Sequence, residues 1–367
     1  MNARFDDLVS GRAVACPPPY RVLVASHPDE VAPVLAEVEA SGSWAYGFVS
    51  YEAAPGLDSR LPAYPRGAGE PPLAWFGLCE EPVPVPVIAP SRPAKVRWAL
   101  DWSEEEHRRA VEAVRKHIEA GETYQCNLTG RLRAAFGGDP LELYANLAAV
   151  QGGAFNAYAE MGPFVVASAS PELFFEWAGD RVRTRPMKGT AARAPENDEQ
   201  VARQLRASPK EQAENLMIVD LLRNDLAKIA VTGSVEVTEL FALERYPTVW
   251  QLTSEVVAGL KEGSGLVDIF RALFPCGSVT GAPKQRSMEI IRDLECGPRG
   301  VYCGAVGLIG PREAPVRARF NVAIRTAVID RRTSTAVYGA GGGITWGSDP
   351  AAEWAELLIK ASIAGSL

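Results

Sequence analysis

The chain has 367 residues, too many for one small core, and fits either one large layered domain or two domains. Its content of 47% apolar and 23% charged residues is typical of a globular protein in water. The formal net charge of −7 argues against binding to nucleic acid or to an anionic membrane through a basic surface.

The cysteines and histidines indicate neither a disulfide framework nor a zinc site. The 6 cysteines are scattered without C-x-x-C spacing, and there are only 3 histidines. The first residues lack the basic-then-apolar pattern of a signal peptide, and no apolar run approaches transmembrane length. These features predict a reduced, cytoplasmic protein with neither a membrane nor a nucleic acid as partner.

The first 90 residues show short strand-like runs, at 21–24 and 44–51, punctuated by glycine and proline. A proline-rich connector begins at Glu81, with further prolines at 90 and 93, and is expected to be extended. From residue 103 on, the patterns predict a longer series of elements. They are a helix from Ser103 to Gly121, a strand from Tyr124, a helix opened by Asp139-Pro140, strands at 155–159, 164–167, 173–177 and 181–184, a helical stretch over 197–229 broken near Pro209, a strand at 234–237, helices at 266–274 and 283–294, strands at 301–309, 320–329 and 335–339, and a last helix opened by Asp349-Pro350.

These strands cluster, and the helices interrupt them without regular βαβ alternation. That order favours an α+β fold over a doubly wound one.

Lys188 is the first candidate for chemistry. It lies between Pro186, which fixes φ and offers no N–H, and Gly189, which lets the backbone bend where a side chain would clash. A lysine on such a corner is poorly placed to move freely in solvent. An ordinary solvated surface lysine remains the alternative.

Two helices each present a pair of carboxylates one turn apart. Glu211 and Glu214 form one pair; Glu353 and Glu356 form the other, with Lys360 four residues after Glu356. Four carboxylates without histidine or cysteine suit Mg²⁺, which accepts a site completed by water and substrate. Two solvated helix faces are the alternative, and spacing alone favours it.

Other candidates follow from single positions. Glu172 opens a strand, where burial would raise its pKa and make it a usable proton donor. Arg325 interrupts an otherwise apolar strand and needs a carboxylate from the protein or a ligand. The turn at 277–283 offers backbone N–H groups to an anion or is only a tight turn. The triglycine at 341–343 lets the backbone approach a ligand or marks a bulge.

Taken together, these stretches resemble the chorismate-utilising enzymes, and among them the aminodeoxychorismate synthase component I group. The resemblance runs in the family's order over 103–362, and residues 1–90 match more loosely. It implies an α+β fold of two large, packed, mainly antiparallel sheets with flanking helices. We expect residues 1–95 to form an N-terminal subdomain with the proline-rich connector, and 96–367 the chorismate-binding catalytic region. The matching segments are 121–125, 170–174, 186–190, 213–225, 281–284, 302–304, 323–326 and 349–360.

The resemblance also implies roles for the matching residues. Lysine at position 188 is typical of aminodeoxychorismate synthases, whereas anthranilate synthases have alanine there. Lys188 would be the nucleophile that adds to the chorismate ring, and Glu172 the acid that helps the 4-hydroxyl leave. The metal Mg²⁺ would be held by Glu214 and Glu356, with Glu211 and Glu353 beside them. The substrate contacts would be Thr190, Gly189, Tyr302, Arg325, Gly341, Gly343 and Lys360.

A lysine nucleophile must be neutral, which requires desolvation or nearby cations against a reference pKa of about 10.4. Arg185 and Arg193 are the candidate cations. The chain also departs from the family's usual pattern at three places. Gln251 stands where many relatives have histidine, Cys276 where glycine is usual, and Met187 where isoleucine is typical. The first argues against a proton step that depends on histidine.

The implied activity is conversion of chorismate and ammonia to 4-amino-4-deoxychorismate, the precursor of p-aminobenzoate and folate. No segment resembles a glutamine amidotransferase, so a separate glutaminase subunit is expected to supply the ammonia. Two alternatives remain: anthranilate synthase component I, and a catalytically inactive chorismate-binding regulatory subunit.

Overall fold

The computed structural model describes residues 2–91, 96–194, 196–247 and 249–365. The end of the predicted proline-rich connector, at 92–95, lies outside the described residues. Within the described part, every helix is too short or too polar to cross a membrane.

The first half of the chain supplies most of the strands. In chain order its elements are β1 (Ala3–Asp7), β2 (Arg12–Cys16), β3 (Arg21–Ala25), α1 (Pro28–Ala40), β4 (Trp44–Val49), α2 (Ala54–Leu57), β5 (Ala74–Cys79), β6 (Val83–Val85), β7 (Ala99–Leu100), α3 (Glu104–Glu119), β8 (Gln125–Ala135), α4 (Pro140–Gln151), β9 (Phe155–Met161), β10 (Phe164–Ser170), β11 (Leu173–Ala178), β12 (Arg181–Arg185) and β13 (Met187–Ala192).

The second half carries most of the long helices. Its elements are α5 (Asp198–Ala207), α6 (Pro209–Ala227), β14 (Glu236–Arg245), β15 (Val249–Gly259), α7 (Leu266–Leu273), β16 (Gly281–Ala282), α8 (Lys284–Leu294), β17 (Ala305–Ile309), β18 (Ala318–Val322), β19 (Thr326–Asp330), β20 (Thr335–Ile344) and α9 (Pro350–Ser362). Single 3₁₀ turns lie at Tyr51–Ala53 and Gly277–Val279.

The strands form two large sheets. Sheet A has the order β16-β8-β20-β19-β10-β9-β1-β2-β6, and sheet B has the order β13-β15-β12-β11-β18-β17-β4-β5-β3. Strand β7 also pairs with β8, and β14 pairs with β15. The strand pairs of the described part are antiparallel, as in β8 with β20 and β11 with β18. The expected α+β fold of two large antiparallel sheets with flanking helices is therefore confirmed.

The sheets pack face to face, and helices cover their outer faces. Tyr46, Phe48 and Trp75 of sheet B share one buried cluster with Ala157 and Val166 of sheet A. Separate apolar clusters hold α6 and α7 against sheet B, and α4 and α9 against sheet A. The apolar stripe of each helix is thereby removed from water, which is the main favourable term in folding.

Strands from both sides of the predicted boundary at residue 95 lie in both sheets. β1, β2 and β6 belong to sheet A, whereas β3, β4 and β5 belong to sheet B. Residue 95 therefore marks no break between sheets. As a boundary between separately folding units it stays a prediction.

Helix starts agree with the capping residues seen in the sequence. The Ser103 hydroxyl accepts the Glu106 N–H while the Glu106 carboxylate accepts the Ser103 N–H, which opens α3. The Ser208 hydroxyl accepts the Glu211 N–H at the start of α6, and the Asp349 carboxylate accepts the Ala352 N–H at the start of α9, each with proline at the first helical position. These two caps matter because α6 and α9 carry the four candidate metal-binding carboxylates.

The predicted strand at 320–329 is wrong as a single element. The chain forms β18 in sheet B, leaves it at Val322, and enters β19 in sheet A at Thr326. Arg325 has a φ of +52° at this crossover, in the left-handed region that a non-glycine residue rarely adopts. The sequence does not show this crossover, because both strands are buried and their residues read as one continuous apolar run.

Candidate active site

Lys188 lies on a β-bulge at the edge of sheet B. The pairing of β13 with β15 shifts register between Met187 and Thr190, so two residues on β13 are left out of the regular ladder. Gly189 has a φ of +94°, and a Cβ there would lie 3.0 Å from Oε2 of Glu211. Glycine is therefore required at 189 for both conformation and space, and the bulge aims Lys188 out of the sheet.

The Lys188 side chain reaches across to the glycines of β20 in sheet A. A Cβ at Gly343 would lie 2.4 Å from Nζ of Lys188 and 2.4 Å from Nε2 of Gln125. Gly341 also approaches closely, since a Cβ there would lie 2.3 Å from the Leu128 carbonyl oxygen. Gly341 and Gly343, the predicted substrate contacts on β20, thus have no room for side chains, and the backbone of β20 faces Lys188.

The carboxylates of α9 lie on the other side of the same glycines. A Cβ at Gly342 would lie 3.3 Å from Oε2 of Glu353, 3.6 Å from Oε1 of Glu356 and 3.7 Å from Nζ of Lys360. The Lys360 ammonium donates to the Gly341 carbonyl oxygen at 2.8 Å and pairs with the Glu356 carboxylate. Burial lowers the pKa of Lys360, while Glu356 opposes that shift.

The carboxylates of α6 face the same centre. Burial raises the pKa of Glu214, Lys188 opposes the shift, and the charges of Glu211 and Glu356 add to it. Burial likewise raises the pKa of Glu353, and the negative charge of Glu356 adds to this rise. Residues from α6 and α9, predicted separately on two helices, are therefore electrostatic neighbours.

Glu172 is a buried acid next to Lys188. It opens β11, is 2% exposed, and lies with its Oε1 3.9 Å from the thiol sulfur of Cys276. Burial raises its pKa to about 7, against the hydrogen bond of Ser278 and the positive charge of Lys188, which lower it. The expectation that burial would make this carboxyl a proton donor near neutral pH agrees with its environment.

Arg325 enters the site from the crossover between the sheets. It is partly buried and makes no ion pair within the described part of the chain, and its charge acts on Lys360 and on Tyr338. A half-buried guanidinium without a carboxylate partner is suited to a ligand carboxylate. The expected position of Arg325 inside a strand is wrong, because residue 325 lies between β18 and β19.

Two predicted substrate contacts, Thr190 and Tyr302, have different surroundings. Thr190 is exposed and pairs across to Gln251 of β15. Tyr302 is buried, and its ring packs on Gly339, where a Cβ would lie 2.3 Å from a ring carbon. Gly339 precedes Gly343 by four residues on β20. The substrate roles of both residues stay predictions.

The cations expected to assist Lys188 are neutralised elsewhere. Arg185 pairs with Glu239 and Glu244, and Arg193 pairs with Asp198. Lys360 of α9 lies close enough for the charge of Lys188 to help lower the pKa of Lys360. Arg185 and Arg193 are close to Lys188 in sequence, whereas Lys360 approaches it through the fold.

Gln125 was not assigned a role from the sequence, although its segment was part of the family pattern. Its side chain is 0% exposed, and neither amide atom has a hydrogen-bond partner in the described part of the chain. An unsatisfied buried amide loses its hydration without compensation, so such groups require an explanation. Its position beside Gly343 and Lys188 makes it a candidate contact for a bound molecule.

The donor set at this centre fits Mg²⁺ in its chemistry. The groups are oxygen ligands, and the pKa values of Glu214 and Glu353 are raised by burial and by neighbouring negative charge, which a cation would relieve. Within the described residues, no three carboxylate, histidine or cysteine side chains already converge as a complete ligand set. Substrate and water oxygens would complete such a site.

The fold and this centre define a class of protein. Residues 21–364 match the model of the family described as chorismate binding enzyme. The chain belongs to the chorismate binding enzyme family.

Relatives within the family carry more than one name. Aminodeoxychorismate synthase component 1 of Escherichia coli K12 is 38% identical over 270 residues, which is 72% of this chain and 57% of that protein. Anthranilate synthase component 1 of Streptomyces coelicolor is 39% identical over 280 residues, which is 76% of this chain and 54% of that protein. The chain thus spans little more than half the length of these two relatives.

Solved structures share the fold. Anthranilate synthase component I from Streptococcus pneumoniae superposes with a TM-score of 0.83 at 25% identity, over 99% of this chain and 93% of that one. The menaquinone-specific isochorismate synthase from Escherichia coli superposes with a TM-score of 0.77 at 18% identity, over 99% and 87% of the two chains. The second likeness shows the fold alone.

Proposed function

We propose that the chain is the aminating component of an aminodeoxychorismate synthase, which converts chorismate and ammonia to 4-amino-4-deoxychorismate. The observation that carries the proposal is the position of Lys188, whose Nζ lies against Gly343 and beside the buried acid Glu172. Relatives of similar identity include aminodeoxychorismate synthases and anthranilate synthases. Lysine at position 188, which the resemblance associates with aminodeoxychorismate synthases, supports the first of these. The product would serve p-aminobenzoate and folate synthesis.

The charges of the centre suit chorismate, a dianion. Arg325 has no carboxylate partner among the described residues, and Lys360 adds a further cation. The backbone of Gly341 and Gly343 is free of side chains and would take the enolpyruvyl carboxylate together with Arg325.

The proposed reaction has two steps at the ring. In the first, neutral Lys188 forms an N–C bond to a ring carbon, the C4–O bond breaks, and Glu172 gives its proton so that water leaves. In the second, ammonia forms the C4–N bond, and the bond to Lys188 breaks with its electron pair returning to the lysine. The proton from Glu172 is needed in the first step because hydroxide is a poor leaving group, whereas water is a good one.

The four carboxylates would hold Mg²⁺ at this centre. When bound, the ion would neutralise substrate charge and supply Lewis-acid assistance to the departure of the hydroxyl. Glu214 and Glu356 are the proposed ligands, with Glu211 and Glu353 beside them. The side chains of Glu214 and Glu356 differ in exposure, at 17% and 53%, so solvent reaches the centre from the α9 side.

Product analysis tests the proposal directly. The purified chain incubated with chorismate, Mg²⁺ and an ammonium salt should form 4-amino-4-deoxychorismate, identified by chromatography and mass. Anthranilate as the product would replace the proposal by anthranilate synthase component I. Binding of chorismate without any product would instead indicate a regulatory subunit.

A pH dependence follows from Glu172. At a pKa of about 7 the carboxyl is half protonated at neutral pH, whereas at an ordinary pKa of about 4.3 roughly one molecule in 500 would be. The reaction needs protonated Glu172 and neutral Lys188, so the titration of Glu172 is isolated by comparison with Glu172→Gln, which keeps Lys188. The ratio of kcat/KM for the wild type to kcat/KM for Glu172→Gln should fall about tenfold per pH unit above pH 7, measured at fixed free ammonia. A ratio that stays constant from pH 7 to pH 9 would exclude Glu172 as the acid.

The source of ammonia gives another prediction. Since no segment resembles a glutamine amidotransferase, glutamine should support amination only after a glutaminase subunit is added. Free ammonia from an ammonium salt at alkaline pH should support it with the chain alone. Glutamine-dependent product from the purified chain by itself would contradict the proposed partner.

A further inference from the structure

A cavity separate from the centre around Lys188 lies on the face of sheet A that is directed toward sheet B. It has a volume of about 170 Å³, is partly open to solvent, and is lined by the loop that contains residues 66–71 and by the segment 298–302. Strands β8, β19 and β20 form its floor. Its apolar lining consists of Leu73, Phe164, Val301, Val328, Val337 and the ring of Tyr302.

The size of this cavity limits its ligand. An apolar cavity of about 150 Å³ holds one benzene molecule, and sites for drug-sized ligands start at about 300 Å³. One six-membered ring with a small substituent therefore fits.

Four arginines also line the cavity, and they are not equivalent. Arg299 is saturated by Glu295 and by the carbonyl oxygens of Val279 and Asn127. Arg131 is saturated by Asp101 and by two backbone carbonyl oxygens. Arg66 donates only to backbone carbonyl oxygens, and Arg133 makes no hydrogen bond or ion pair within the described residues.

Three carboxylates line the cavity as well, and each is already engaged. Asp330 pairs with Arg332, and Glu70 accepts the Gly67 N–H. Glu52 accepts the backbone N–H groups of Arg299 and Gly300, and burial raises its pKa to about 7. The cavity therefore offers a ligand one uncommitted guanidinium, that of Arg133, next to an apolar wall.

We propose that this cavity binds a small aromatic monocarboxylate. The ring lies against Phe164, Val328 and Val337, and the carboxylate takes two hydrogen bonds from Arg133. An arginine–carboxylate pair of this kind is bidentate and charge-assisted, which makes it strong and directional. Lys188, Gly341 and Gly343 are not in the lining of this cavity, so the ligand would not occupy the centre around Lys188.

Titration calorimetry with benzoate tests the proposal. It is done on the full chain without chorismate, so the result does not depend on the proposed function. Saturable binding is expected for the wild type. Arg133→Gln should weaken it by at least tenfold, because hydrogen bonds to a charged group are lost. Arg181→Gln removes another exposed strand arginine, on β12, and should bind benzoate as the wild type does.

Two more variants locate the bound benzoate. Val337→Phe fills the cavity and should abolish binding, and Lys188→Ala leaves the cavity intact and should not change it. Arg133 is exposed, so its replacement is not expected to unfold the chain, which circular dichroism checks. Absence of saturable binding to the wild type would overturn the proposal. So would equal affinity of Arg133→Gln, or loss of binding in Lys188→Ala.

Discussion

Lys188→Ala should abolish formation of aminodeoxychorismate and should also prevent a covalent adduct that the wild type forms when ammonia is withheld. The adduct links Lys188 to a chorismate-derived fragment that has lost the 4-hydroxyl, so it should require Mg²⁺ and Glu172 as well. Lys188→Arg should be equally inactive, because arginine stays protonated and is not a nucleophile. Intact-protein mass spectrometry with chorismate and Mg²⁺, followed by peptide mapping, measures the adduct.

Lys116→Ala is the matched control for this experiment. Lys116 is an exposed lysine on α3, outside the site, and its loss should leave both the adduct and the activity unchanged. An adduct that maps to a residue other than Lys188 would remove the nucleophile role. Full amination by Lys188→Ala would reduce Lys188 to an electrostatic contact and would weaken the proposed activity with it.

Glu214→Ala and Glu356→Ala should each abolish turnover at any Mg²⁺ concentration. Both carboxylates lie at the rim of the centre, so their loss should affect ion binding far more than core packing. Stabilisation of the wild type by Mg²⁺ in a thermal melt, and its absence in both variants, is the readout that does not depend on activity.

Glu119→Ala, an exposed glutamate near the end of α3, controls for a general effect of lost negative charge. It should keep wild-type turnover and a wild-type response to Mg²⁺. Normal turnover in Glu214→Ala or in Glu356→Ala would remove the metal assignment. Loss of the cooperative thermal unfolding transition in either variant would instead indicate that its missing carboxylate has a structural role.

Much of the fold is predictable from local patterns. The caps at Ser103, Ser208 and Asp349 mark helix starts correctly because the capping hydrogen bonds are made within four residues of sequence. Helix α1 was missed, since Pro33 lies inside it and the surrounding glycines and prolines favour loops. Strand β15 was missed as well; its pairing with β14 is local in sequence, but its other partners, β12 and β13, lie far from it along the chain.

The candidate site was predictable in its residue types and not in its geometry. The spacing of Glu353 and Glu356 places them on one face of a helix, but only sheet packing brings that helix near Glu214. The bulge at Lys188 depends on its partner strand, which no local pattern shows. Gln125 carries no unusual sequence signal, and only its unsatisfied amide distinguishes it.

Lys188 belongs to sheet B, and the glycines that face it belong to sheet A. The carboxylates are divided in the same way, because α6 packs on the sheet of Lys188 and α9 on the sheet of the glycines. A molecule bound at this centre therefore holds the two halves of the protein together. Because linkage is reciprocal, any free energy that binding adds to the association of the two sheets is added by that association to binding. A substitution in the interlayer core at Phe48 or Trp75 would then alter affinity without touching the substrate.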